Sequence, residues 1–181
     1  MKKIMFNDKY LLTQAVLAGI KTMTRRTIRK DVSVGDRQEA ERMLPYKVGE
    51  VVAIAQRYAD IPWNCFPNAP FSLDAYSEHA GYRNKLFVSA GLMPHHIRIT
   101  GVRIERLQDI FDEDILCEGV YKSSVGKNIM FHVPKRNKNG TDLMTFLSAR
   151  EAYAYLIDKI SGKGTWERNP AVAVYEFERA D

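Results

Sequence analysis

From Ile97 to Glu105 apolar and polar residues alternate, but the alternation changes phase once, at Gly101: Ile97 and Ile99 hold one parity, Val102 and Ile104 the other. Strand side chains point to opposite faces with a period of two, so a one-residue slip at a glycine predicts a β-bulge. A bulged strand bends, as the strands of a small barrel must. A second constraint comes from Val51-Val52-Ala53-Ile54-Ala55, a continuous apolar run opened by Gly49, which has the pattern of a strand buried on both faces. With 181 residues the chain has the usual size of one domain and can bury a core without disulfides or metal.

The remaining elements follow from spacing and punctuation. Asp8 precedes the helical stripe Leu11, Leu12, Ala15 and Val16, and Gly19 is placed to end that helix as a left-handed residue. Residues 31–47 are polar and predict a loop with one helical turn near Gln38 to Met43. Residues 57–94 scatter Trp63, Phe66, Phe71, Tyr76, Tyr82 and Phe87 among prolines and glycines, which predicts an insertion or lid. Asp112 to Glu118 reads as a short helix with acids in its first turn and Gly119 at its end. By composition, residues 122–141 form a basic loop with Lys122, Lys127, Lys135, Arg136 and Lys138. Thr141 is placed to cap a longer helix through Leu143, Phe146, Tyr153, Leu156 and Ile160 to Gly162, and Ala171 to Phe177 predicts a closing strand.

A net charge of +5 favours anionic partners. Cys65 and Cys117 match no metal or disulfide spacing, there is no signal peptide, and no apolar run approaches a membrane span, so a soluble cytoplasmic protein is expected. His79, His95, His96 and His132 share no ligand spacing, and Ser161-Gly162-Lys163-Gly164-Thr165 lacks the order of a phosphate loop. No metal or cofactor is expected.

Chemistry concentrates in Gly19-Ile20-Lys21-Thr22-Met23-Thr24-Arg25-Arg26. If this segment leaves the helix as a strand, Lys21, Met23 and Arg25 share one face and Thr22, Thr24 and Arg26 the other. A threonine hydroxyl needs a base to become a nucleophile, and a desolvated lysine can serve. Glu118, at the negative end of its helix dipole where an anion is disfavoured, suits a general acid.

The order Gly19-x-Lys21-Thr22-x-Thr24-x-Arg26, then Val48-Gly49-Glu50, then a basic alternating strand running into Asp112-Glu113 and Glu118-Gly119, resembles the ASCH domain family. The landmarks Met93-Pro94-His95-His96, Ile104-Glu105-Arg106-Leu107-Gln108-Asp109-Ile110 and Gly162-Lys163-Gly164-Thr165-Trp166-x-x-Asn169-Pro170 are similar to its longer branch, found in phage-like bacterial proteins. The resemblance implies a single α+β domain, a small mixed, mostly antiparallel PUA-like β-barrel with flanking helices and an insertion. It also implies recognition of RNA or a modified nucleoside in a cleft at the GxKxxTxR motif. Gly19, Thr22, Arg25, Arg26, Gln56 and Tyr58 would then be ligand contacts, with Tyr58 or Trp63 stacking on a base. A compact branch of the family hydrolyses N4-acetylcytidine with a Lys, a Thr and a Glu, which fall here on Lys21, Thr24 and Glu118. An amidohydrolase is therefore the alternative, and a protein-interaction domain using the aromatic insertion is a third.

Overall fold

The computed structural model describes residues 1–28, 42–66 and 77–181. The predicted turn at 38–43 and the aromatics Phe71 and Tyr76 fall wholly or partly outside them.

Five strands form the main sheet in the order β1 (Lys3–Ile4), β3 (Val51–Ile54), β4 (His96–Arg106), β8 (Ala171–Arg179) and β2 (Met23–Thr27). β1 lies parallel to β3 and every other pair is antiparallel. The ladder of β4 on β8 shifts register between Ile99 and Gly101. That bulge explains the phase slip. Ile99 opposes Phe177, and after the extra residue Val102 opposes Tyr175 and Ile104 opposes Ala173. Directly opposed residues share a face, so the bulge returns all four aliphatics of β4 to the same side of the sheet. A Cβ at Gly101 would also stand 2.7 Å from Glu176 Oε2.

The apolar face carries Ile4, Val52, Ile54, Ile97, Ile99 and Phe177, all within the main core. Val52, Ala53 and Ile54 are fully buried, as expected for a strand covered on both faces. The architecture is thus mixed α+β with a mostly antiparallel sheet. Among the described residues the edges β1 and β2 share no strand ladder, so the sheet stays open there in place of the expected closed barrel. A side chain spans that seam, with Arg26 Nη2 donating to the Met5 carbonyl at 2.7 Å.

Five α-helices accompany the described strands: α1 (Leu12–Leu17), α2 (Ala80–Arg83), α3 (Asp112–Cys117), α4 (Ala149–Ser161) and α5 (Thr165–Arg168). Gly19 ends α1 with φ +72° and Gly162 ends α4 with φ +107°, both in the region that favours glycine. Asp8 is not the cap of α1. Leu11 holds that position, and the Asp8 carboxylate accepts from Thr13 Oγ1 and Lys85 Nζ.

Two expectations are corrected. Residues 122–141 are not a loop: β5 (Tyr121–Val125), β6 (Asn128–Asn137) and β7 (Gly140–Phe146) form a three-stranded antiparallel meander. The same finding removes Thr141 as a helix cap, since α4 starts at Ala149 with Ser148 Oγ accepting from the Glu151 N–H. The described part of 57–94 builds a second small core, where Tyr58, Ile61, Phe66, Val88 and Met93 pack on Ala53 and Ala55. It is fastened to the edge of the sheet by Lys3 Nζ on the Leu86 and Val88 carbonyls and by Lys85 Nζ on the Phe6 carbonyl.

Candidate functional site

The basic motif divides between the two faces of β2. Lys21, at the turn before the strand, is 2% exposed, and its ammonium donates to the Met23 carbonyl (2.7 Å), the Glu118 carbonyl (2.8 Å) and Glu118 Oε2 (2.6 Å). Three donors meet three acceptors, which is the full capacity of an ammonium. Burial lowers the Lys21 pKa, and the Glu118 charge partly offsets that effect. Glu118 Oε1 accepts from Arg25 Nη1 at 3.2 Å. Arg25 also donates to Glu105 (2.7 Å) and Asp114 (2.8 Å), and Arg103 joins the same acids. Burial opposes the Arg25 charge, but the surrounding carboxylates, Glu118 first, outweigh it and raise the pKa. Tyr153, fully buried beside this network, has its phenol pushed well up by burial and by the Glu118 charge, although its hydroxyl makes no hydrogen bond of good geometry.

Thr24 and Arg26 belong to the other face. They oppose Tyr175 and Ala173 of β8, and together these residues line a cleft of about 710 Å³ at the open seam between the sheet edges. Met5, Phe6 and Leu12 form one wall, Leu44 and Pro45 another, and Ile160 and Ser161 at the end of α4 complete the rim. Among the described residues no Asp or Glu is in the lining. Arg26 Nε is buried without a partner among the described residues, and the Arg26 guanidinium lies 6.0 Å from the centre of the Tyr46 ring. The Tyr175 hydroxyl is likewise buried without a well-aligned hydrogen bond, although the Tyr46 amide is close enough to favour its anion slightly.

Burial pushes the Tyr175 phenol up to about 12, partly opposed by Arg26. An unfolded phenol ionises near pH ~10, so stability linked to this proton is complete below that pH and is lost as the pH rises toward 12. An ultraviolet absorbance titration should show one late-ionising phenol fewer in Tyr175→Phe than in the wild type, the late ionisation of Tyr153 remaining in both. If the count is unchanged in the variant, the step belongs to another phenol.

The structure joins Lys21 to Glu118, and it separates Thr24 from them. No hydrogen bond links Thr24 to Lys21 among the described residues; the Lys21 ammonium sits 5.9 Å from the ring of Phe6, which forms the cleft wall. Arg25, expected as a ligand contact, borders the cleft, but its guanidinium is engaged by the ion network. Thr22 contributes backbone bonds, its N–H to the Cys117 carbonyl and its carbonyl to the Phe177 N–H. Gly19 serves the turn. Gln56 is 8% exposed, its Oε1 lacks a partner among the described residues, and it does not line the cleft. Tyr58 is corrected outright: it is fully buried in the second core, where its hydroxyl accepts from the Ser89 N–H, and no ring face is open for stacking.

The sequence does not single out Tyr175, because within Ala171-Val172-Ala173-Val174-Tyr175-Glu176-Phe177 nothing distinguishes a cleft tyrosine from a core aromatic. Among the described residues no three His, Cys, Asp or Glu side chains are grouped to hold a metal, and no helix is long and apolar enough to cross a membrane.

No family model matches the chain, and no curated protein matches it. Among solved structures, it is similar to the high-resolution crystal structure of an ASCH domain from Lactobacillus crispatus JV V101. The two share 11% identity over 96% of this chain and 75% of that one, with a TM-score of 0.40.

Proposed function

We propose that this protein is an ASCH-type recognition module that binds a nucleoside, a nucleotide or RNA in the cleft formed by Thr24, Arg26 and Tyr175. The observation that carries this reading is the chemistry of the lining. Among the described residues, Arg26 Nε is buried there without a partner, the Tyr175 hydroxyl has no well-aligned hydrogen bond, and no Asp or Glu is in the lining. A buried donor without a partner costs free energy that a ligand acceptor can recover. Apolar walls with a few convergent polar groups, in a volume of this order, are typical of small-molecule sites. Base carbonyls, ring nitrogens and phosphate oxygens all supply the acceptors that these donors lack.

The alternative, an amidohydrolase for N4-acetylcytidine-type nucleosides, draws on the Lys21–Glu118 pair and on a Thr24 hydroxyl that lines the cleft. For Thr24 to attack an acyl carbon, Lys21 would have to leave one of its three acceptors and reach the hydroxyl. The binding reading needs no such rearrangement. The two are separated by incubating the protein with N4-acetylcytidine and following cytidine release, with Thr24→Ala alongside. Under the binding reading the nucleoside associates and no cytidine appears. Release that disappears in Thr24→Ala establishes the hydrolase.

A further inference from the structure

We infer that the end of the β6–β7 hairpin extends the cleft into a track for the backbone of a single-stranded polynucleotide, so that the physiological partner is a strand and not a free nucleotide. This inference rests on the reading of the cleft as a nucleotide site. It begins with charge. Residues 121–146, which form the meander, hold five lysines and arginines against one acid, a surplus of four in a chain of net charge +5. The excess charge of the whole protein is thus concentrated in one small sheet.

Connectivity then brings that charge to the cleft. The Arg136 N–H donates to the Lys9 carbonyl at 2.7 Å, fixing the hairpin end against the segment whose neighbours Met5, Phe6, Asn7 and Leu12 form the cleft wall. Lys9, Arg136 and Lys138 are exposed, and none of them makes a side-chain ion pair among the described residues. The nearby acids are already engaged. Asp142 accepts from Asn137 Nδ2 at 2.6 Å, and Asp8 is held by Lys85 and Thr13. Lys159, next to Ile160 and Ser161 of the lining, lies 5.4 Å from the ring of Tyr155, and Tyr155 in turn packs on Tyr10 and on Phe146 of β7.

Unneutralised cations extending from a cleft lined with hydrogen-bond donors match a chain of phosphates. A nucleotide in the cleft would place its neighbours on this surface, where each phosphate contact releases counterions and strengthens binding in a salt-dependent way.

The test compares two probes, cytidine monophosphate and a fluorescent single-stranded oligoribonucleotide. Each is titrated against the wild type, the triple variant Lys9→Gln/Arg136→Gln/Lys138→Gln, and Arg26→Ala. The oligonucleotide is expected to bind more tightly than the mononucleotide. The triple variant should lose about tenfold or more on the oligonucleotide, leave the mononucleotide unchanged, and lower the slope of log affinity against log salt by about 2, at ~0.7 per single-strand phosphate.

An oligonucleotide that binds no more tightly than the mononucleotide, or one whose affinity survives the triple substitution, overturns the track while leaving the cleft reading in place. Oligonucleotide binding lost in the triple variant but untouched by Arg26→Ala overturns the cleft reading instead. Binding to phosphatidylserine vesicles with no binding to either nucleotide probe would show the patch to be a lipid contact, and would overturn both.

Discussion

Replacing Glu118 by alanine is expected to destabilise the fold by about 3–5 kcal/mol, the range for removing one partner of a buried ion pair. The carboxylate lies between the ammonium of Lys21 at 2.6 Å and Arg25 Nη1 at 3.2 Å, and both cationic side chains are at most 2% exposed. Alanine leaves Lys21 with two carbonyls and no counter-charge, in a place where burial already disfavours its ammonium. Arg25 keeps Glu105 and Asp114, so Lys21 bears most of the penalty. The double variant Lys21→Met/Glu118→Leu, which removes both charges and keeps apolar volume, should recover much of the loss. Denaturant unfolding of the three proteins measures both effects. A loss below about 1 kcal/mol for Glu118→Ala would instead be the behaviour of an exposed ion pair.

Arg26→Ala is expected to weaken cytidine monophosphate binding by about 10- to 100-fold, the range for losing one or two hydrogen bonds to a charged group. Its effect on stability should be small, because the structural bond that it removes, to the Met5 carbonyl, is exposed. Arg26→Lys should recover only part of the affinity, since an ammonium cannot present the Nε–H and the guanidinium fork together. Calorimetric titration of the three proteins reads the difference directly. Equal affinity in wild type and Arg26→Ala would remove Arg26 from the site.

These two substitutions act on opposite faces of one strand, and that division was only partly legible in the sequence. Alternation predicts the separation of Lys21 and Arg25 from Thr24 and Arg26, and it holds because β2 is regular from Met23 to Thr27. The alternation does not reveal which face is covered. Asp114 of α3, Glu118 just after it and Glu105 of β4 settle that, by drawing Arg25 into an ion network, whereas in one dimension Arg25 looks like a ligand contact.

The bulge at Gly101 was legible because a period of two registers any inserted residue. The meander was not, since Lys, Asn and Gly recur along it and, among its described side chains, only Val133 is a fully buried member of the main core. Tyr58 misled for a different reason: an aromatic beside a predicted site looks the same whether it stacks on a ligand or fills a second core.

The most direct test of the cleft is to titrate cytidine monophosphate into isotopically labelled protein and map the perturbed resonances. Shifts are expected to centre on Thr24, Arg26 and Tyr175 with their neighbours Met5, Phe6 and Leu44, with little change at Tyr58 or Gln56. Shifts centred elsewhere, or no shifts at saturating nucleotide, would contradict the cleft reading.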